Sequence, residues 1–309
     1  MAYPGSTTPN VGSDSAATLS RDIHVGVVEA FKRKTVFADK IDTRSLTGGT
    51  GAQFTIEGKE DTTDTGVVAY TAGTQVDVTD GTQDEIVINL DRPQYQARRI
   101  DRFEEATANY DVVAKDVRQV GAKLANVVDR KVAAAIEASS LATGLVGNGN
   151  GTVIVNTALP GGLAAGTTAE AHGKAIIESV YAAKAAMENN DVDTSGEVYV
   201  ALNPTNFSYL PQSLLIIDKD ITSGNGGLDT GAVAMVGGVK VVMSNNVPAT
   251  AGLIGLAWTM EAAGMVKLWD IETKIKEQQE FLDAKLLTAY FSNGVAALRP
   301  QCAVSIKNV

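Results

Sequence analysis

Residues 103–136 read FEEATANYDVVAKDVRQVGAKLANVVDRKVAAAI, and this stretch decides the fold. Its apolar positions Phe103, Ala106, Tyr110, Val113, Val117, Val120, Leu124 and Val127 recur at alternating steps of three and four, then drift to Val128, Val132, Ala135 and Ile136. That pattern is one amphipathic helical stripe. Asp111 can cap a new start, so two readings stand: one helix from about Phe103, or a short helix followed by a long one over Val112 to Ser139. Gly121 costs either version about 1 kcal/mol relative to alanine. At about 1.5 Å per residue the longer version reaches ~55 Å and the shorter ~42 Å. A compact sphere of this chain has a diameter of roughly 50 Å, so such a helix predicts an elongated or flat subunit. The stripe Val113, Val117, Val120, Leu124 and Val127 needs a long apolar partner, and the terminal strands around Leu286 to Val304 are the expected one.

Upstream, residues 1–20 mix Ser, Thr, Pro and Gly with few large apolar groups and are expected to form a mobile tail. Residues 21–37 place Ile23, Val27, Val28, Phe31 and Phe37 at near-helical spacing around Lys32, Arg33 and Lys34, which predicts a short amphipathic arm. Between Glu57 and Asp91 stand nine acidic residues and one base, Lys59, so this segment carries −8. Short alternations at Val67–Tyr70 and Val76–Val78, bounded by Gly66, Gly73 and Gly81, predict an extended hairpin. A two-stranded hairpin alone is marginal in water, so it should lie on another surface, such as a neighbouring subunit.

Downstream of the long helix, a Gly/Asn/Ala stretch over 144–166 leads to a second helix whose start resembles a capping box, Thr167 to Glu170. A strand over Glu197 to Leu202, a capped helical turn at Asn203-Pro204, a polar loop over Lys219 to Gly231 and a strand over Gly238 to Met243 follow. The last fifty residues alternate at Ile271–Ile275 and Leu286–Phe291, end at Cys302 to Ile306, and read as antiparallel strands. The class is α+β.

The chain has 309 residues, 26 bases and 36 acids, hence a net charge of −10. Length alone suggests roughly two units of ~150 residues with a real core. The acidity has the wrong sign for a nucleic-acid reader. The single Cys302 excludes an intrachain disulfide and a Cys-cluster metal site. Met1 to Ser20 lacks a signal pattern and no apolar run approaches ~18 residues, so neither export nor membrane insertion is expected.

Chemistry-bearing motifs are weak. The Gly147–Gly151 run matches half of a dinucleotide fingerprint but follows a helix, and Gly166–Lys174 has the wrong glycine spacing for a phosphate loop. Asn189–Asp193 hints at a calcium loop but has Thr194 where the loop demands Gly. His24 and His172 have no nucleophile elbow nearby, and the sequon at Asn206 means little without a signal peptide. No catalytic, metal or cofactor site is expected, and the protein reads as no enzyme.

Several strings share their order with one family: Ala52-Gln53-Phe54, Tyr110-Asp111-Val112, Gly121-Ala122-Lys123-Leu124-Ala125, Val236 to Val242 with Asn246-Val247-Pro248 after, and Leu298-Arg299-Pro300. Over roughly Phe31 to Lys307 the chain resembles the major capsid proteins of tailed double-stranded DNA bacteriophages, most of all the short-tailed branch. The resemblance implies an N-terminal tail and arm (1–51), an extended acidic hairpin loop (52–89), a peripheral domain with a spine helix (90–151), an axial α+β domain (152–263) and peripheral antiparallel strands (264–309). It implies a homo-oligomer of hexamers and pentamers forming an icosahedral shell, assembled in the bacterial host cytoplasm and found in the virion capsid. The implied partners are a scaffolding protein, a portal protein at one vertex, an optional decoration protein, and an enclosed double-stranded DNA genome; no membrane is involved. Some members crosslink a loop lysine to a neighbour; Lys59 is the one loop candidate, and a solvated lysine is the plainer reading. A cellular nanocompartment of the same fold, enclosing a cargo enzyme, is the alternative.

Charge complementarity then suggests inter-subunit contacts. The acidic hairpin, with Glu57, Lys59, Glu60, Asp61 and Asp64 near its entry, should dock on Arg92, Arg98, Arg99 and Arg102 of an adjacent subunit. Lys32, Arg33 and Lys34 are assigned to subunit contacts too. The genome should be held by enclosure without specific binding, because a subunit carrying −10 repels phosphate.

Overall fold

Asp111 settles where the long helix begins. It is non-helical, and its carboxylate accepts the Ala114 N–H at 3.0 Å, satisfying one of the donors that a helix start leaves unpaired. The spine helix runs from Val112 to Leu141. The computed structural model describes residues 23–32, 34–46, 51–57, 83–101, 111–143, 150–213, 235–278 and 284–309, with the single positions 69, 72, 73, 75, 103 and 107. The expected tail, the inner hairpin alternations and the loop over 219–231 lie outside them.

The buried face of the spine is carried by Val117, Val120, Leu124, Val128, Val132 and Ile136. Val127, expected in that stripe, is 38% exposed, and this corrects the sequence reading. A stripe stepping 3.5 residues lags a helix that turns every ~3.6, so after three turns Val128 replaces Val127 on the inward side.

Among the described residues, twelve strands form three sheets. The first has the order β1-β10-β11-β4 and the second β5-β12-β9-β6-β8-β7; β2 and β3 form a separate ribbon. The strands are β1 (Asp42–Ser45), β2 (Gly51–Glu57), β3 (Gln83–Asn89), β4 (Gln94–Ile100), β5 (Thr152–Val155), β6 (Tyr199–Leu202), β7 (Met235–Val236), β8 (Val239–Met243), β9 (Leu253–Trp258), β10 (Ala263–Gln278), β11 (Ala284–Ala297) and β12 (Ala303–Lys307).

The chain divides into two compact units, each gathered from separate stretches. One draws its described residues from Met1–Thr35, Asp91–Val128 and Lys267–Asn293, the other from Val36–Leu90, Asp129–Val266 and Gly294–Val309. The boundaries expected from sequence follow chain order, whereas these units collect segments far apart in sequence.

In the first unit, residues 23–32 form the arm helix. It crosses the spine at Gly121, where a Cβ would stand 2.6 Å from the Val27 carbonyl oxygen and 2.8 Å from Ala30 Cβ. Ile23 and Val27 are buried. The partner at this part of the stripe is thus the arm, which the sequence reading did not assign there. Strand β4 pairs antiparallel with β11, from Lys285 opposite Ile100 to Phe291 opposite Gln94.

In the second unit, the helix Ala169–Asn189 lays Ile176, Val180 and Met187 on a core with Leu159, Val200, Leu202, Val239, Ile254, Val304 and Ile306. Its cap is Thr168, whose hydroxyl accepts the Ala171 N–H at 3.2 Å. The expected box from Thr167 to Glu170 is therefore shifted by one residue, and Glu170 sits one place too early to bond back to the cap. The helix ends with Asp191 at φ 56°, while the N–H groups of Asp191 and Val192 donate to the Glu188 and Met187 carbonyls. This reversal closes the helix and returns Val192 to the core, so no cation is needed to explain the Asn/Asp cluster.

Strand β12 joins a different sheet from β10 and β11. It lies inside the six-stranded sheet, parallel to β5 and antiparallel to β9. Ala303, Val304, Ser305 and Ile306 are all buried. A strand covered on both faces is a continuous small and apolar run, and sequence alternation does not report its neighbours.

Candidate functional site

The acidic hairpin begins as the β2–β3 ribbon, paired antiparallel from Gly51 opposite Asn89 to Glu57 opposite Gln83. Its foot is anchored by Ile88, 1% exposed, against Val266 and Leu298. Of the hairpin contact candidates, only Glu57 falls in a described element, through its backbone; Lys59, Glu60, Asp61 and Asp64 lie outside the described residues, as do Arg33 and Arg102.

Of the remaining arginines, Arg98 and Arg99 separate by alternation within β4, and Arg92 precedes that strand. Arg92 and Arg99 are exposed. Arg98 turns inward, its Nε 2.8 Å from Asp116 Oδ1 and its Nη1 donating to Gln119 Oε1 at 3.2 Å. Asp116 is buried, so this ion pair fixes β4 to the spine, a role that charge counting did not anticipate. Lys32 and Lys34 are exposed on the arm.

Sequence reasoning also missed a buried carboxylate. Asp129, 0% exposed, accepts the N–H of Val36 at 2.8 Å through Oδ2 and of Phe37 at 3.2 Å through Oδ1. Burial pushes its carboxyl above the usual carboxylate range, while the hydrogen bonds from Val36, Phe37, Ala38 and Asn246 pull the other way. Two oxygens aimed at consecutive backbone donors hold the segment that leads into β1. That segment is seated by an aromatic stack: Phe37 lies 5.1 Å from Trp258, which lies 5.8 Å from Tyr199. Trp258 Nε1 donates to the Lys40 carbonyl at 3.1 Å. Burial, then the hydrogen bond to Glu197, push the Tyr199 hydroxyl up to about 12.

The other sequence candidates are structural. Asn206 is buried and donates to the Ile254 carbonyl at 3.3 Å, which leaves the sequon inaccessible. His172 packs tilted against the Tyr209 ring with centroids 5.2 Å apart, and His24 Nδ1 lies 3.2 Å from Thr273 Oγ1. Cys302 is buried, and that burial pushes its thiol up to about 11. Among the described residues no group of three or more His, Cys, Asp or Glu could hold a metal, and no helix is long and apolar enough to cross a membrane.

Residues 68–255, more than half of the chain, match the Gp10A-like family, described as Major capsid protein. The chain is 27% identical to the major capsid protein of Escherichia phage T7, covering 91% of this chain and 88% of that protein. It is likewise 27% identical to the minor capsid protein of the same phage, over 91% and 77%. The capsid structure of the Cyanophage P-SCSP1u matches at TM-score 0.72 and 28% identity, over 89% of this chain and 88% of that one. A virus-like particle from Pyrococcus furiosus matches at TM-score 0.55 and 11% identity, over 94% and 99%, a likeness of fold alone. The α+β architecture, the spine, the ribbon and the family match therefore converge: the chain belongs to the Gp10A-like major capsid protein family and is a structural, non-enzymatic subunit of a viral capsid shell.

Proposed function

We propose that the subunit assembles into hexamers and pentamers of an icosahedral shell that encloses a double-stranded DNA genome, and that the β2–β3 ribbon of one copy is covered by the next. The observation that carries this reading is the ribbon itself. It forms its own two-stranded sheet and is anchored at its foot by Ile88, and isolated two-stranded hairpins are marginal in water. A loop of one copy lying on the body of the next is a heterologous contact, which closes into rings and shells.

The acidic segment supplies −8 for that contact, and the outward Arg92 and Arg99, with Arg102, supply the opposite charge. Arg98 contributes indirectly, by holding β4 on Asp116. Assembly in the host cytoplasm proceeds with a scaffolding protein and a portal protein at one vertex, and a decoration protein can follow.

The test is co-expression with a scaffolding protein, followed by velocity sedimentation and negative-stain microscopy. Shells are expected; only monomers of 32.2 kDa at every concentration would overturn the reading. Arg92→Glu with Arg99→Glu should block assembly of a subunit that still melts normally. Nuclease-protected DNA in particles supports a genome container, whereas a co-purifying enzyme would identify a nanocompartment instead.

A further inference from the structure

Strand β4 sends alternate side chains to opposite faces of its sheet. Arg98 turns to the spine, where it meets Asp116 and Gln119, so Ala97 and Arg99, with Tyr95 two places earlier, stand on the other face. All three are exposed. Tyr290 of β11 is opposite Tyr95 in register, and directly opposed residues of an antiparallel pair share a face. On β10, Trp269 meets the Tyr290 ring edge-on, with centroids 6.3 Å apart. Glu272 accepts the Tyr290 hydroxyl, and Lys274 Nζ stands 5.4 Å from the centre of the same ring. The arm lies on the spine side, because His24 reaches Thr273, whose side chain alternates with those of Glu272 and Lys274. Three aromatic side chains therefore cross three adjacent strands on the face turned away from the spine and the arm.

This row is open to water in the single subunit: Tyr95 is 74% exposed and Trp269 42%. Such rings carry a large apolar surface with a polar tip, and Trp, Tyr and Arg are the residue types that anchor protein interfaces. The exposed charges described on β10 and β4 have both signs, Asp270 and Glu272 against Lys274, Lys276 and Arg99. The rings thus offer the contact area, and a slight excess of bases favours an acidic occupant.

One segment of a second copy fits that description. The β2–β3 pairing ends at Glu57 opposite Gln83, and the 25 residues between them carry five acids and one base. They also hold Val67, Val68, Tyr70, Val76 and Val78, side chains suited to a strand that a two-stranded hairpin cannot bury within itself. As a hairpin, each leg of about 12 residues spans up to ~40 Å, close to the ~50 Å diameter of a compact subunit of this length.

We propose that Trp269, Tyr290 and Tyr95 form the seat on which residues 58–82 of a second copy lie. The rings hold the hairpin, and Arg92 and Arg99 steer its approach. This rests on the reading that the ribbon of one copy is covered by the next, and it names the surface that covers it.

Tyr95→p-benzoylphenylalanine places a photo-crosslinker in the row. Shells built with scaffolding protein from this chain and an equal amount of isotopically heavy chain lacking the probe are irradiated, digested and read by mass spectrometry. The expected product joins position 95 of the light chain to a heavy peptide from residues 58–82. Products joined to any other segment, to the scaffold or to light peptides alone would overturn the seat. Ala97→p-benzoylphenylalanine, on the same face, repeats the measurement where the change at position 95 blocks assembly.

Tyr95→Ala with Trp269→Ala should melt like the wild type, because both side chains are exposed. It should raise the concentration needed for assembly at least tenfold, by the same factor at about 50 and about 300 mM salt. The loss caused by Arg92→Glu with Arg99→Glu should shrink over that range. Normal assembly of the aromatic variant, or a deficit that disappears at high salt, would overturn the seat. Replacing residues 58–82 by a short Gly-Ser turn separates the two claims. Shells from that variant would refute the ribbon reading itself, whereas no shells from it together with normal shells from the aromatic variant would refute the seat alone.

Discussion

Gly121→Ala sets a local gain against a packing loss, and the arm decides the sign. In a helix interior alanine is favoured over glycine by about 1 kcal/mol. Against this, the new Cβ would stand 2.6 Å from the Val27 carbonyl oxygen, 2.8 Å from Ala30 Cβ and 3.2 Å from the Phe31 nitrogen. Carbon atoms rest at about 3.5 to 4.0 Å, so the arm must recede by about 1 Å, which forfeits a quarter to a half of the contact energy it makes. Burying a Val or Ile side chain contributes about 1.5 to 3 kcal/mol, and the arm buries Val27 and Ile23. Losing a quarter to a half of two such contributions costs about 1 to 3 kcal/mol, so after the helical gain the net effect runs from about zero to a destabilisation of about 2 kcal/mol. The assay is urea unfolding of the unassembled subunit together with hydrogen exchange of the amides in 23–32, which should lose protection. A variant stabilised by about 1 kcal/mol with the arm still protected would show that glycine is tolerated there, with no arm seated on it. Gly26→Ala should cost less, because its Cβ meets only the end of the Val117 side chain at 2.9 Å.

Leu124→Ala should cost roughly 2 to 5 kcal/mol, whereas Val127→Ala should stay within about 1 kcal/mol because Val127 is on the exposed side; equal losses in denaturant unfolding would refute the face assignment. Asp129→Asn should cost about 1 to 3 kcal/mol, since an amide nitrogen would face one of the two N–H donors. The folded-state pKa of Asp129 is raised, so its stability term is present below the ordinary carboxylate value and is lost as pH rises through the folded one. The wild-type advantage over the Asn variant should therefore be smaller at about pH 8 than near about pH 4, and a widening gap would refute the burial argument. Cys302, buried and pushed up to about 11, should react with a thiol reagent at about pH 8 only after unfolding, and rapid labelling of the native subunit would contradict the packing of β12.

How much of this was legible in the sequence depends on the range of the forces involved. The spine was legible because its stripe is local and period-specific, and Asp111 resolved its start by a capping bond spanning three residues. Asn203 and Pro204 announced their helical turn for the same reason: Asn203 Oδ1 accepts the Asn206 N–H at 2.7 Å. What stayed hidden is non-local. Gly121 is a propensity cost in sequence and a crossing point in space, because the chain it meets lies some ninety residues upstream. Asp129 and Arg98 look like surface charges until their partners, Val36 and Asp116, are brought beside them by packing.

The position of β12 also orders events in time. It is the last of the twelve strands to leave the ribosome, yet it lies between β5 and β9 in the six-stranded sheet. Until residues 303–307 arrive, β5 has no neighbour and β9 presents an unpaired flank, even though the strands before it are already made. Chains grow at about 5 to 20 residues per second and fold as they emerge, so the sheet closes only once residues 303–307 have emerged. A product ending before β12 would leave a slot between β5 and β9, and open strand flanks of that kind invite mispairing. Synthesis through β12 thereby serves as a licence for entry into a lattice of identical copies, where a member lacking that strand would weaken the contacts around it.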